Sequence, residues 1–467
     1  MNANTAMEEK ARIEADVAEG IRALLDWAVD LRLEDIPVPV RRKAVVVMAD
    51  NISAMIAARD ESQVRLAHEQ LLDEGARKEA IVFRGGQQRA GRIQAALANG
   101  IAGSWCELDE GYRLAPCHAG LYTLPAVLAD AEAYDLDIAQ LLRAIVLSYE
   151  VTARIARCWI FPTLTLHPHP QTAAIGGAAA SGLVRGFDAS TLFDAITAAA
   201  SLTTVGHFRH AVEGAFVRNV WAAVGTTNGM RSADWALCGI GGSPSTPYST
   251  YTELLGQPPQ PEVLAAGLGE TWAITQGYHK IHGCCQSTHS AVEAMLAARE
   301  RFPRPDAYRK IERVELETHR PGMSNAAPPT TLAARFSFEH VVAAACVYGN
   351  AAVDAFSTRA LSDPDVARLR ERIDVRRFLP ALPRPHDRPA RITLHFDDGS
   401  TLTSECLSAR GGPDQPFEEQ VILSKVESIV AEVYPAFTRG IRELAELQPG
   451  RMNTRWRTVA DELTATA

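Results

Sequence analysis

The sequence lacks the patterns that mark several large classes of protein. No block of lysine and arginine occurs, and 47 basic side chains stand against 56 acidic ones, which gives a formal net charge of −9. Nucleic-acid-binding surfaces need clustered basic residues, so we expect no nucleic-acid partner. No uncharged apolar run approaches the roughly 18 residues that cross a bilayer, and the first residues are charged, so we expect neither a membrane partner nor a secretory signal.

Cysteine is sparse, and its spacing excludes the usual cysteine-based scaffolds. The eight cysteines are scattered along the chain without a CxxC pair. This pattern indicates neither a disulfide framework nor a zinc ribbon nor a redox motif. We therefore expect a reducing, cytoplasmic environment.

Three familiar nucleotide and hydrolase motifs are also missing. The chain contains no GxGxxG after a strand, no GxxxxGK[ST] and no GxSxG elbow. These absences disfavour dinucleotide, nucleoside triphosphate and serine-hydrolase chemistry.

What is present predicts a mainly α fold with an inserted α+β domain. Residues 15 to about 275 show helical spacing of apolar residues, and the pattern returns near residue 417. Between these stretches, KIERVELETH alternates like a strand, and ARITLHFDDGSTLTSECLS is typical of a β-hairpin. We predict a large helical domain from residues 1–277 and 412–467 and a smaller α+β domain from 278–411.

An acidic segment supplies the first candidate for chemistry. Glu107, Asp109 and Glu110 fall within four residues, and Gly111 and then His118 follow in a glycine- and proline-shaped stretch. A loop that presents Asp109 and His118 to a cleft would suit acid–base catalysis. A solvated acidic turn is the alternative.

The run His167-Pro168-His169-Pro170 is the second candidate. Its prolines keep both histidines out of a helix interior, and a helix rich in small residues follows. A histidine there could face an anionic ligand at a helix N-terminus, or both could lie on an exposed loop.

A third cluster combines Lys280, His282, Cys284, Cys285 and His289. Zinc held by His282, Cys285 and His289 is conceivable, but the second half of a structural zinc site is missing, so we expect no metal. A thiol made reactive by Lys280 is another interpretation, and buried inert cysteine is the simplest one.

Arg218 is the fourth candidate because it lies among apolar residues in EGAFVRNVWAAVG. A buried arginine needs an anionic partner. That partner is either a protein carboxylate, which would make Arg218 structural, or a substrate carboxylate, which suits the guanidinium fork.

Taken together, these segments resemble the MmgE/PrpD family, which includes 2-methylcitrate dehydratase, cis-aconitate decarboxylase and iminodisuccinate epimerase. The resemblance runs along nearly the whole chain and rests on the order and spacing of its segments. They are ALANGIAGSWCELDEG, CHAGLYTLPAVLADAEAYDLDIAQ, TLTLHPHPQTAAIGGAAASGLVRGFD, EGAFVRNVWAAVGTTNGM, YHKIHGCCQSTHSAVEAM and ARFSFEHVVAAACVYG.

The resemblance implies a helical domain with a smaller lid domain, which would be the α+β domain 278–411, and a homodimer without metal or organic cofactor. It also maps several site residues. The family's acidic loop matches residues 107–111 with its histidine at His118, and the histidine before the small-residue helix matches His167. Arg218 takes the place of a family lysine that meets substrate carboxylate. In the lid segment, Lys280 matches the family residue, and Cys285 takes the place of a histidine of the decarboxylase.

The family's Asp-Asp-Thr run is Asp109-Glu110-Gly111 in this chain, and the spacing to His118 is one residue longer. These departures leave the exact substrate open.

Our leading hypothesis is a cofactor-independent, dehydratase-like lyase that removes a proton next to a carboxylate of a small di- or tricarboxylate. His118 and His167 would serve as base and acid, and Asp109 would either orient one histidine or act as the base itself. Arg218 and Lys280 would stabilise the negative charge that develops on the carboxylate. An epimerase, a decarboxylase, or a carboxylate-binding protein that has lost catalysis are the alternatives. The candidate catalytic residues are Asp109, His118, His167, Lys280 and His282, and the candidate substrate-binding residues are Glu107, Arg218 and Cys285.

Overall fold

Helices make up most of the protein, as the apolar spacing predicts. The computed structural model describes residues 3–74, 77–160 and 165–466. The helices of the first part are α1 (Ala3–Asp30), α2 (Val38–Ala57), α3 (Ser62–Asp73), α4 (Arg92–Trp105), α5 (Ala119–Ala133), α6 (Ile138–Cys158), α7 (Pro168–Val184), α8 (Ala189–Ser201), α9 (Arg209–Glu213), α10 (Trp221–Ala236), α11 (Thr246–Tyr248) and α12 (Glu262–Ala265).

The later helices fall into two sets. The first set is α13 (His289–Glu300), α14 (Thr331–Phe336), α15 (Phe338–Tyr348), α16 (Thr358–Leu361) and α17 (Pro364–Arg370). The second set is α18 (Glu419–Val430), α19 (Phe437–Ala445), α20 (Pro449–Met452) and α21 (Trp456–Leu463). None of the described helices combines the length and apolarity needed to cross a bilayer.

The strands confirm the mixed character of the later region. Four short strands pair as β1 (Ala80–Ile81) with β2 (Arg89–Ala90) and β3 (Gly111–Tyr112) with β4 (Gly277–Tyr278). A four-stranded sheet has the order β6-β5-β7-β8. Its strands are β5 (Ile311–Thr318), β6 (Ile373–Arg377), β7 (Ala390–Phe396) and β8 (Thr401–Cys406).

The predicted hairpin is β7 and β8, which pair antiparallel. The predicted strand after residue 310 is β5, which pairs antiparallel with β7 and parallel with β6. The mainly α fold with a smaller α+β part is thus confirmed. The sequence pattern did not predict β6, because this strand has only five residues and a single buried one.

Local signals set several helix ends. Asp137 accepts from the Gln140 backbone N–H and completes a capping box at α6, and Asp188 accepts from Thr191 at α8. Ser337 divides the stretch FSFEHVVAAACVYG between the helices α14 and α15. This residue has an extended backbone and caps α15 through a hydrogen bond from the His340 N–H.

Buried hydrophobic residues form two cores. One runs from Val17 to Ile274 and includes Leu423 to Leu463 of the C-terminal helices. The other combines Ala211 with residues 284–394. The C-terminal helices therefore pack with the N-terminal part of the chain.

The small-residue helix α7 lies in the centre of the first core and crosses α10 at close range. A Cβ atom at Gly177 would overlap the carbonyl group of Thr226, and one at Gly229 would overlap that of Ala174. Because only glycine permits this approach, the crossing holds the N-terminus of α7 close to the turn that precedes α10.

Candidate active site

The segments that carry the candidate residues meet at one cavity of about 610 Å³. They are the loop between α4 and α5, the turn before α7, the 3₁₀ turn Phe216–Val220 before α10, and the segment between β4 and α13. Of the predicted site residues, those that line the cavity are Glu107, His118, His167, Arg218 and Cys285. Asp109 and Lys280 are buried directly behind them.

Asp109 and His118 form a carboxylate–imidazole pair at the wall of this cavity. The Asp109 Oδ2 atom lies 2.5 Å from His118 Nδ1, and the Glu110 carbonyl oxygen lies 3.1 Å from the same nitrogen. Two acceptors at Nδ1 place the proton there and leave Nε2 as the basic nitrogen. Burial alone would raise the pKa of Asp109, but Lys280 and His118 hold this pKa well below its usual range. Asp109 is therefore a carboxylate that orients His118.

Glu107, Arg218, Lys280 and Asp109 form a chain of buried ion pairs. Glu107 Oε1 lies 2.5 Å from Arg218 Nη1, and Glu107 Oε2 lies 3.4 Å from Lys280 Nζ. Lys280 Nζ also lies 3.4 Å from Asp109 Oδ1. Burial lowers the pKa of Lys280, but Asp109 and Glu107 outweigh burial and raise it above its ordinary value. Two cations thus balance two carboxylates without a ligand.

Arg218 consequently has the protein partner that one interpretation of the sequence required. The apolar residues around Arg218 are spaced as in a helix, but in the structure Arg218 belongs to a short 3₁₀ turn. Glu107, its partner, has a backbone φ of 53°, which is unusual for a residue with a side chain. The buried pairs with Arg218 and Lys280 hold Glu107 in this conformation.

His167 differs from His118 because donors face both of its ring nitrogens. Arg218 Nε donates to His167 Nε2 at 3.2 Å, and the His169 backbone N–H donates to His167 Nδ1 at 3.2 Å. Burial and the Arg218 guanidinium hold the pKa of His167 well below its ordinary value. The ring is therefore neutral, and since a neutral imidazole keeps one N–H, it accepts a hydrogen bond at only one of these two nitrogens.

His169, which has no role in the sequence-based hypothesis, lies between the two predicted histidines. Its ring centroid is 4.9 Å from that of His118 and 4.3 Å from that of His167. The side chain is fully buried, and the Tyr122 hydroxyl lies 2.8 Å from its Nδ1 atom. The alternation of histidine and proline gave no hint of this position, because it depends on how α7 packs against α5.

Tyr278 is a second cavity residue that the sequence analysis missed. Its ring lies 6.3 Å from that of His118, and its strand β4 pairs Tyr278 with Gly111 of β3. Burial raises the pKa of Tyr278 above its ordinary value, so the phenol keeps its proton. The aromatic residue directly before His279-Lys280 was the available signal.

Arg320 and Arg388 were also missed by the sequence analysis, and both line the cavity. Arg320 follows β5 by two residues, and Arg388 precedes β7 by two residues. The register pairs Thr318 with Ala390, so both arginines lie at the same end of two adjacent strands. Their position was hidden because the two strands are far apart in sequence.

The paired cysteines give no support to a reactive thiol. Cys284 is fully buried, and burial raises its pKa to about 12. Cys285 lines the cavity, but burial and the Glu107 carboxylate raise its pKa despite the nearby Lys280. Cys285 therefore meets a ligand as a neutral thiol.

His282 does not line the cavity. Its Nε2 atom lies 3.7 Å from Glu293 Oε1 on α13, and Glu293 also pairs with Arg410. We therefore assign His282 no catalytic role, in contrast to the sequence-based hypothesis. His289 Nε2 contacts the Cys284 carbonyl oxygen at 3.1 Å, and in the described parts of the chain no three histidine, cysteine or acidic residues are grouped so as to hold a metal ion.

A buried network behind the site connects it to the C-terminal helices. Lys425 of α18 contacts Asp50 Oδ1 at 2.5 Å and donates to the carbonyl oxygens of Leu108 at 3.2 Å and Lys280 at 2.9 Å. Asp50 Oδ2 in turn lies 2.6 Å from His279 Nδ1. One lysine thus fixes the backbone next to Asp109 and that of Lys280 itself.

Comparison with known proteins identifies the family of this chain. Residues 22–252 match the MmgE/PrpD N-terminal domain, and residues 282–447 match the MmgE/PrpD C-terminal domain. A cis-aconitate decarboxylase-like protein of Aspergillus oryzae is 25% identical over 438 residues, which cover 88% of this chain and 90% of the relative. A cis-aconitate decarboxylase of Aspergillus terreus is 24% identical over 461 residues, which cover 91% of this chain and 92% of the relative. The chain belongs to the MmgE/PrpD family.

Proposed function

We propose that this enzyme is a cofactor-independent lyase that removes a proton from the carbon next to a carboxylate of a small di- or tricarboxylate. The observation that carries the proposal is the Asp109–His118 pair at 2.5 Å on the wall of the cavity. A carboxylate at Nδ1 makes the opposite nitrogen of the ring a better base and keeps it in one orientation.

In this mechanism His118 Nε2 takes the proton, and the electron pair left on carbon spreads onto the substrate carboxylate. Arg218 on the cavity wall and Lys280 buried behind it stabilise that charge. The C–O bond to a β-hydroxyl group then breaks. The hydroxide leaves as water with a proton that His118 returns or that the Tyr278 phenol supplies.

His167 takes a different role from the one that the sequence suggested. Because its ring is neutral and Arg218 Nε faces its Nε2 atom, we propose that it positions Arg218 and does not deliver a proton. Glu107 and Cys285 line the cavity and form part of the substrate surface.

Decarboxylation is a second candidate, and the names of the relatives favour it. In that reaction the C–C bond to a carboxylate breaks, CO2 leaves, and protonated His118 gives its proton to the carbanion. The same pair of residues serves both reactions with the proton moving in opposite directions.

A turnover screen in D2O, followed by NMR, separates the candidates. The panel is citrate, methylcitrate, cis-aconitate, malate and aminodicarboxylate analogues. Dehydration gives an unsaturated acid, decarboxylation releases CO2, and epimerisation puts solvent deuterium into recovered substrate. Ligand-dependent thermal shifts without any turnover would contradict the proposal and indicate a binding protein.

We further propose that the enzyme works without a metal, as a homodimer, in the cytoplasm. The family resemblance supports the first two statements. The eight free cysteines suit a reducing compartment. Extended dialysis against a chelator should leave the rate unchanged, and recovery only on adding zinc or iron would contradict metal independence.

A further inference from the structure

The cavity carries more positive charge than its own carboxylates can balance. Of the described residues that line it, five are arginines and two are carboxylates. The arginines are Arg218, Arg320, Arg377, Arg384 and Arg388. An excess of cations in a concave site attracts anions and raises their local concentration.

The pairing of these charges shows which cations are free. Arg218 is paired with Glu107. Arg384 Nε lies 3.8 Å from Asp387 Oδ2, and Arg113 also pairs with Asp387. Both carboxylates of the cavity are therefore already engaged by other arginines.

Arg320 and Arg388 hydrogen-bond to neutral partners, and Asp387 attracts both charges only from a longer distance. Arg320 Nη1 donates to Ser287 Oγ at 3.3 Å, and Arg388 Nη1 donates to Gln286 Oε1. No carboxylate of the described chain lies within ion-pair distance of either guanidinium. Both side chains are half-buried, so part of the water that would otherwise solvate the charge is excluded.

Each of these arginines interacts with an aromatic residue that neighbours one of the two histidines. The Arg320 guanidinium lies 5.7 Å from the Phe208 ring, which stacks on His167 at 5.5 Å. Arg388 interacts electrostatically with Tyr278, whose ring lies 6.3 Å from that of His118.

We propose that Arg320 and Arg388 bind the carboxylates of the substrate that are remote from the reacting carbon. The inference deepens the proposed function, on which it rests for the identity of the cavity as the substrate site. Arg218 and Lys280 serve the reacting end, where Glu107 and Asp109 already balance their charge. A substrate with a second carboxylate is thereby selected over a monocarboxylate, because only the former neutralises the free arginines.

Calorimetric titration with non-reacting probes tests this selection. We use tricarballylate, glutarate and butyrate against the wild-type enzyme and the variants Arg320→Gln and Arg388→Gln. Wild type should bind tricarballylate best and butyrate worst. Each variant should lose about 10- to 100-fold in affinity for tricarballylate, the loss expected for one charge-assisted contact, and should change little toward butyrate.

Two further variants sharpen the result. Arg320→Lys keeps the charge but not the fork, so it should recover part of the affinity. Arg376→Gln removes an exposed arginine that pairs with Asp374 away from the cavity, so it should bind as wild type does. Circular dichroism checks that each variant is folded.

Unchanged tricarballylate affinity in folded Arg320→Gln and Arg388→Gln would overturn the inference, and so would equal affinity of the wild type for all three probes. Neither result would affect the proposed function if turnover still depends on His118. Conversely, selective binding through the arginines without turnover of any carboxylate would leave the inference standing and contradict the proposed function.

Discussion

The phenol of Tyr278 occupies the space that a side chain at Gly111 would need. A Cβ atom built on Gly111 would overlap the hydroxyl oxygen and the ring of Tyr278, and the two residues are partners in the β3–β4 pairing. The glycine that departs from the family's Asp-Asp-Thr run is thus matched by a tyrosine on the opposite strand. This pair helps to shape the wall of the cavity next to His118.

We therefore expect Gly111→Ala to destabilise the protein by about 1–3 kcal/mol, because the added methyl group overpacks a buried contact. Urea denaturation measures the change in the free energy of unfolding. Gly450→Ala is the matched control, since nothing lies within 4 Å of its Cβ position, and it should show no loss. Equal stabilities of the two variants would show that Tyr278 moves away without cost.

His118→Asn should lower kcat by about 100- to 10,000-fold with the substrate found in the turnover screen, because it removes the proposed base. Asp109→Asn should also lower kcat, since it removes the carboxylate that orients the ring. The double variant should be little worse than His118→Asn, as expected for groups that act together.

His282→Asn provides the control for this series. His282 is a buried histidine that contacts Glu293 away from the cavity. Near-normal kcat in His118→Asn, or a loss in His282→Asn as large as that in His118→Asn, would refute the assignment of the base.

Arg218→Met should destabilise the fold by about 3–5 kcal/mol, because it leaves Glu107 buried with only Lys280 as an ionic partner. Adding Glu107→Gln should recover part of that loss. The exposed pair of Arg209 and Glu213 supplies the comparison, and Arg209→Met should cost no more than about 1 kcal/mol. Similar losses in the two arginine variants would argue against a buried ion pair.

Glu110 predicts a pH dependence of stability. Burial raises its pKa to about 8, although Tyr149 and the Gly120 N–H donate to its carboxylate. Between about pH 4.5 and 8, the folded protein therefore keeps a proton on Glu110 that the unfolded chain has already released. The contribution of Glu110 to stability is complete below this window and declines across it, by up to about 1.4 kcal/mol per pH unit.

Glu110→Gln should remove the pH-dependent contribution of Glu110 to stability. The free energy of unfolding of this variant should therefore fall less steeply than that of the wild type between about pH 5 and 8. Denaturation curves at several pH values make the comparison. Glu312→Gln alters an exposed glutamate and should follow the wild-type curve. Parallel curves for the wild type and Glu110→Gln would show that Glu110 is ionised throughout.

The sequence by itself determined the local structure and the positions of the loops. Asp137 and Asp188 cap their helices through hydrogen bonds to residues three positions later, so a short stretch of sequence contains the whole signal. The hairpin of β7 and β8 was predictable for the same reason. Resemblance and loop chemistry together identified Glu107, Asp109, His118 and Lys280, which the structure brings into contact.

Only the tertiary structure decided which charges are paired and which are free. Arg218 could have met a substrate or a protein carboxylate, and the choice depended on Glu107 lying beside it in space. Arg320 and Arg388 became neighbours through the pairing of Thr318 with Ala390, two residues that are distant along the chain. Charge pairing is a property of distances across the fold, and the spacing of residues along a sequence does not encode it.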